Sequence, residues 1–215
     1  MRAKEFLSAR GVEYQSIDIA GDPEGLAELE ALGLRSVPVV ARGGDYVFAQ
    51  DLNHVARFVG LDYAVSPQLA PGELVVRLER ILRAALRFGG QIPRERLDDR
   101  LPNRDRSYLA LLNHVAEIAA GFVEIARGAS MTGAIGGAVP EVELDVPDLR
   151  PRADEIIEAL HQWWHANQDH PECAGDVETY YGPQSLHAVL ERTTWHCGQH
   201  VRQLMMVLEL LDIPP

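Results

Sequence analysis

The chain has 215 residues, room for one large domain or two small ones, and its 47% hydrophobic and 24% charged content is that of an ordinary globular protein. A net charge of −12, from 32 acidic against 20 basic side chains, argues against a nucleic-acid partner, because such binding needs cationic surface. Lys4 is the only lysine, and the two cysteines, Cys173 and Cys197, form no CxxC pair, which excludes a Schiff-base lysine, a phosphate-loop lysine, a zinc ribbon and a disulfide framework.

The opening MRAKEFLSAR lacks the apolar core of a signal peptide, and no uninterrupted apolar run approaches the roughly 20 residues that span a bilayer. A cytoplasmic protein without a membrane partner is the expectation. Residues 12–19 (VEYQSIDI) alternate as a strand does, and residues 21–33 predict a helix opened by Asp22-Pro23 and closed by Gly33. Residues 36–41 (SVPVVA) predict a strand, residues 42–45 a hairpin turn, and residues 46–49 (YVFA) its partner. A helix capped by Asp51 and closed by Gly60 completes this stretch, with His54 on its surface.

In this order of elements, residues 2–62 resemble the thioredoxin/glutaredoxin-like fold, in which SVPVV holds the position of the strand that begins with a cis-proline, here Pro38. The chain departs from the family where its chemistry resides. Glutaredoxins open with a strand and place C-x-x-C or C-x-x-S on the following helix, whereas AKEFLSARGVEY resembles only the part of that helix just downstream. Ala49-Gln50-Asp51 replaces the usual glycine-rich turn. Dithiol catalysis is therefore not expected, and the alternatives are a docking module or a start that lies upstream and carries the motif. A sheet without its first strand would need its open edge covered by the rest of the chain or by a partner. The resemblance implies that the Pro38 region could pair with the backbone of a glutathione-like thiol; a loop-shaping role is the competing reading.

Residues 63–71, with Pro67 and Pro71 and no periodicity, predict a linker. Beyond it four amphipathic helices are predicted. Residues 72–90 set Leu74, Leu78, Ile81, Leu82, Ala85 and Leu86 on one face. Residues 106–128 turn Leu111, His114, Ile118, Phe122 and Ile125 inward. Residues 128–151, rich in glycine and proline, predict a flexible connection without a phosphate-loop pattern. Residues 153–170 form a third helix that buries Ile156, Leu160 and Trp163, and a loop leads to the last helix, which starts at Ser185.

The last helix places Leu186, Leu190, Thr193, Cys197, His200, Leu204, Val207 and Leu211 on one apolar face, with His196 and His200 four residues apart. That spacing turns about 40° and climbs about 6 Å, so both imidazoles project from one side and can share a transition ion at about 2.0–2.1 Å. A rival set, His161 and His165 in HQWWH with His170 nearby, is read as lining or surface residues. Cys197 lies about 100° round the helix from His196 and is assigned to the core. His187 is read as structural. Trp195, Tyr180 and Tyr181 are either packing aromatics or the frame of a substrate mouth.

His114 early on the second helix, His196-x-x-x-His200 on the last with Arg202-Gln203 behind it, and the aromatic-rich loop before that helix resemble the DinB/YfiT-like family of metal-binding four-helix bundles over residues 72–212. The resemblance implies a divalent ion on His114, His196 and His200, Zn²⁺ foremost with Ni²⁺ or Fe²⁺ as alternatives, and open positions for water or substrate. It also implies a homodimer and chemistry with a low-molecular-weight thiol (mycothiol, bacillithiol or glutathione), as a transferase or an isomerase acting on an electrophilic small molecule. Glu117 or Gln199 is assigned to support the ligands. The expected architecture is thus a two-domain α+β chain: residues 1–62 a cysteine-less glutaredoxin-like piece, 63–71 a linker, 72–215 an all-α bundle. The competing functional reading is a non-catalytic, metal-stabilised interaction module with a degenerate glutaredoxin-like docking domain.

Overall fold

The computed structural model describes residues 2–19, 21–34, 37–49, 52–62, 69–102, 104, 106–129, 144–169, 176–179 and 182–214. The chain divides into two compact units, Met1–Ser66 and Pro67–Pro215. The first is a small α/β piece. Helix α1 (Arg2–Ser8) buries Phe6 and Leu7, and the Arg10 guanidinium lies 4.0 Å over the Phe6 ring. Helix α2 (Pro23–Ala31) starts where the Asp22 carboxylate accepts from the Glu24 N–H at 3.0 Å, with Pro23 in the first turn, where no N–H partner is needed. Strands β1 (Val39–Arg42) and β2 (Asp45–Phe48) form an antiparallel hairpin in which Val39 faces Phe48 and Arg42 faces Asp45. Helix α3 (Leu52–Phe58) closes over the hairpin with Val55 and Ala56 fully buried; His54 on it is half-buried.

One expectation for this unit fails. Residues 12–18 are not a strand. Their alternation is real, but a strand exists only through a ladder, and β1 pairs with β2 alone among the described residues. Tyr14 and Ile17 accordingly stand exposed at 41% and 37%.

The second unit is helical. Its bundle consists of α4 (Pro71–Gly89), α5 (Tyr108–Ala126), α6 (Val146–Asn167) and α7 (Leu186–Leu210). Helix α7 packs against both α4 and α5, and α6 packs against the same two from the other side. The apolar faces predicted from spacing meet in one core: Leu78, Leu160, Leu190, Leu204 and Leu208 are completely buried. Helix α5 has the length and hydropathy of a membrane span, yet 72% of that stretch is buried within the protein.

Two segments read as loops carry structure. Helix α6 begins at Val146, within the glycine- and proline-rich connection, capped by the Asp145 carboxylate. Pro147 falls in the first turn, where it is tolerated, and Leu149 extends the buried stripe of Ala153, Ile156 and Leu160 back past Pro151. Before α7, strands β3 (Asp176–Thr179) and β4 (Gly182–Ser185) pair antiparallel. Their polar sequence with Gly182 and Pro183 gives no alternation. Ser185 then serves as the cap of α7, its Oγ accepting from the Ala188 N–H at 3.2 Å. Cys173, His170, Tyr180, Tyr181, Gln50 and Asp51 lie outside the described residues.

Candidate metal centre

Helix α5 is started by Ser107, whose Oγ accepts from the Ala110 N–H at 3.0 Å, and this places His114 two turns in, on the face toward α7. His114 is buried, His200 is buried and His196 is half-buried. The neighbouring Asn113 fixes the backbone around them: its amide donates to the carbonyls of Leu109 and Leu144 (3.0 and 2.9 Å) and accepts from the Leu144 N–H (2.8 Å). The segment entering α6 is thereby tied to α5 beside His114.

The three imidazoles converge. Ring centroids lie 4.8 Å apart for His196–His200, 4.7 Å for His114–His200 and 5.7 Å for His114–His196. One nitrogen of each falls within 4.8 Å of the others. Ligand nitrogens about 2.0–2.1 Å from a tetrahedral ion stand about 3.3 Å apart, so the cluster has the dimensions to close on one ion with a small adjustment at His114. His196 Nε2 and His200 Nε2 are already 3.0 Å apart.

Protonation suits this use. His200 Nδ1 donates to Gln203 Oε1 at 3.0 Å, which leaves the Nε2 lone pair of His200 facing His196. Two lone pairs at that separation repel unless a proton or a cation lies between them. Burial pushes the His196 pKa down to about 3, helped by the neighbouring His200 and His114 and by the positive charges of Arg106 and Arg192. Burial also lowers His200, opposed by the Gln203 hydrogen bond and reinforced by Arg106 and Arg104. Both rings are thus neutral at ordinary pH, the form that binds a metal. The His114/His196/His200 triad could hold a metal ion.

The other sequence candidates fall elsewhere. His161 lies on α6 and bonds through Nε2 to Glu79 Oε2 of α4 at 2.8 Å; His165 lies 3.4 Å from the Gln168 amide. Cys197 is wholly buried, its Sγ directed at the Val115 carbonyl, and burial drives its thiol pKa well up, so the core assignment stands. His187 holds the Leu69 carbonyl at 2.7 Å, a structural tie. Glu117, which with Gln199 was a candidate to support the ligands, pairs with Arg152 of α6 at 3.5 Å. The supporting contact comes from Gln203, three residues beyond His200, a spacing that was legible in the sequence. Trp195, at 51% exposure, is not a packing residue. In the first unit the Val37–Pro38 peptide is cis, the Pro38 carbonyl accepts from the Ala49 N–H at 2.9 Å, and Val37 is exposed.

Compared with known proteins, residues 1–47 match the glutaredoxin family model. No curated protein and no solved structure matches the chain. The comparisons do not identify the DinB/YfiT-like family. The architecture is therefore a glutaredoxin-like α/β piece followed by a region of packed helices that carries the histidine triad.

Proposed function

We propose that His114, His196 and His200 hold one divalent transition ion, Zn²⁺ before Ni²⁺ or Fe²⁺, and that the protein is a DinB-like, metal- and thiol-dependent transferase or isomerase. The observation that carries this reading is the convergence of the three imidazoles, with Gln203 setting the His200 tautomer so that its Nε2 faces the cluster. Three neutral nitrogen ligands are the donor set of catalytic zinc sites, which keep a further position open. An ion bound there lowers the pKa of a coordinated water or thiol and polarises a carbonyl. The chain's own part is to orient the rings, exclude water from one side of them and keep them unprotonated.

The choice of a thiol as co-substrate rests on the glutaredoxin-like unit, a fold-level analogy. The partners of this reading are a low-molecular-weight thiol, with the Val37–Pro38 backbone as its first contact, and an electrophilic small molecule. The chain would act as a homodimer in the cytoplasm. A second reading, a metal-stabilised interaction module, is favoured by the absence of any cysteine from residues 1–62.

The deciding experiment is elemental analysis of purified protein. About one equivalent of metal is expected in the wild type, little in His196→Ala or His200→Ala, and an unchanged amount in His161→Ala. Full stoichiometry in His200→Ala would end the triad assignment. Azide or thiol binding at the loaded site separates the readings, because a closed structural site takes neither.

A further inference from the structure

The exposed apolar surface of the helical unit collects on one helix. Among the described residues of that unit, Val76 on α4 and Trp195, Met205, Met206 and Leu210 on α7 are the large apolar side chains left in solvent, the last four at 51%, 43%, 52% and 59% exposure. Scattered apolar residues on a surface are ordinary, whereas several on one side of one helix form a patch of the kind that marks an interaction site. At 100° per residue, Met205, Gly198, Glu209, Arg202, Trp195 and Met206 fall within an arc of about 100° on α7. Leu210 lies about 40° past Met206, and His196 and His200 turn about 40–80° beyond Leu210 toward α5. Cys197, Leu204 and Leu208 on the far side are wholly buried.

Two features of this face match a second copy of itself. Arg202 and Glu209 are both exposed, stand two turns apart and pair with no described residue. When α7 packs antiparallel on an identical helix about a two-fold axis between Met205 and Met206, Arg202 faces Glu209 twice and Met205 faces Met206 twice. An isologous contact needs that self-complementarity, and an unrelated protein or a lipid surface gives no reason for it. The second feature is Gly198, half-buried in mid-helix, where glycine is less stable than alanine. A Cβ there would come no nearer than 3.7 Å to Ile81 Cδ1, an ordinary contact, so packing within the chain leaves room for a side chain. In the same antiparallel register Gly198 faces Ile213 of the second copy, which takes up that room. We infer that this face of α7 is the homodimer interface, occupied by a second copy of the chain with Arg202 set against Glu209 on either side of the methionines. The inference gives the homodimer of the reading above its interface and does not depend on the metal.

The test is sedimentation of the full-length chain across a concentration series, with circular dichroism to show that each variant stays helical. Wild type is expected to be a dimer. Arg202→Glu and Glu209→Arg should each weaken the dimer by roughly tenfold, because every substitution acts twice across the axis and turns attraction into repulsion. The double swap Arg202→Glu/Glu209→Arg should restore wild-type affinity, and Met206→Glu, which buries a charge at the axis, should leave a monomer. A monomeric wild type overturns the inference; if that monomer floats with anionic vesicles and Met206→Glu does not, the occupant is a lipid surface instead. A dimer that none of the variants weakens uses another face. Single variants that weaken the dimer without rescue by the double swap overturn the Arg202–Glu209 pairing. Metal content read on the same samples keeps the two readings apart: a monomer that holds metal loses the interface and keeps the triad, and a metal-free dimer that responds to the swap does the reverse.

Discussion

A histidine becomes a ligand or a packing residue according to what its second nitrogen meets. His161 and His187 have their Nε2 atoms taken by Glu79 and by the Leu69 carbonyl, whereas His200 gives its Nδ1 to Gln203 and leaves Nε2 toward the cluster. Gln203→Ala should therefore keep the fold and weaken metal affinity by about 10- to 100-fold, the usual effect of losing a hydrogen bond behind a ligand, as measured by competition with a chromophoric chelator. Protonation adds a second test. His196 is held at about 3 in the fold against 6.5 for the ordinary imidazole. Below pH 6.5 the unfolded chain takes up a proton at this position that the folded chain refuses. The metal-free fold should thus lose stability as pH falls from about 6.5 toward 3, with no contribution from His196 above that window. Urea midpoints at about pH 7.5 and about pH 5 should differ more in metal-free wild type than in His196→Ala; equal differences would show that His196 is not the group responsible.

The elements were legible wherever one face was apolar. The inward positions predicted for residues 106–128 are all buried in α5, and seven of the eight predicted for the last helix are buried in α7. The start of α6 and the β3–β4 hairpin were not legible. Pro147 and Pro151 read as breakers until the burial of Leu149 shows the helix passing through them, and the hairpin has no alternating pattern to detect. Close packing between elements gives a further prediction. A Cβ added to Gly89 near the end of α4 would lie 2.7 Å from both δ carbons of Leu112 on α5 and 3.3 Å from its γ carbon. Alanine is the better helix former by about 1 kcal/mol, but overpacking a filled core costs about 1–3 kcal/mol, so Gly89→Ala should lose about 1 kcal/mol in chemical denaturation. Leu112→Ala in the same chain should remove the clash, and a double mutant that gains nothing over additivity would disprove the contact.

At the scale of the whole molecule, each unit owns its core. One apolar cluster gathers Ala3, Phe6, Leu7, Ala49, Val55 and Ala56; the other lies wholly within the helical unit, and its buried members run from Leu74 to Leu208. A chain cut between Ser66 and Pro67 should therefore leave a soluble helical fragment that still binds metal at the triad, measured by circular dichroism and elemental analysis. An aggregated or unfolded fragment would mean that the helical unit depends on the first.

The sequence by itself determined the class of each half, the inward faces of the long helices and the His196–His200 pair on one side of the last, because helical period and side-chain chemistry are local properties; only the family resemblance joined His114 to that pair. It left open which helices are neighbours. Tertiary packing decided that α7 packs against both α4 and α5, which brings His114 to His196 and His200, and that His161 of α6 meets Glu79 of α4. It also gave Glu117 to Arg152 and the supporting role to Gln203, and withheld a ladder partner from residues 12–18. Those outcomes depend on contacts between residues distant in the chain, which no local pattern encodes.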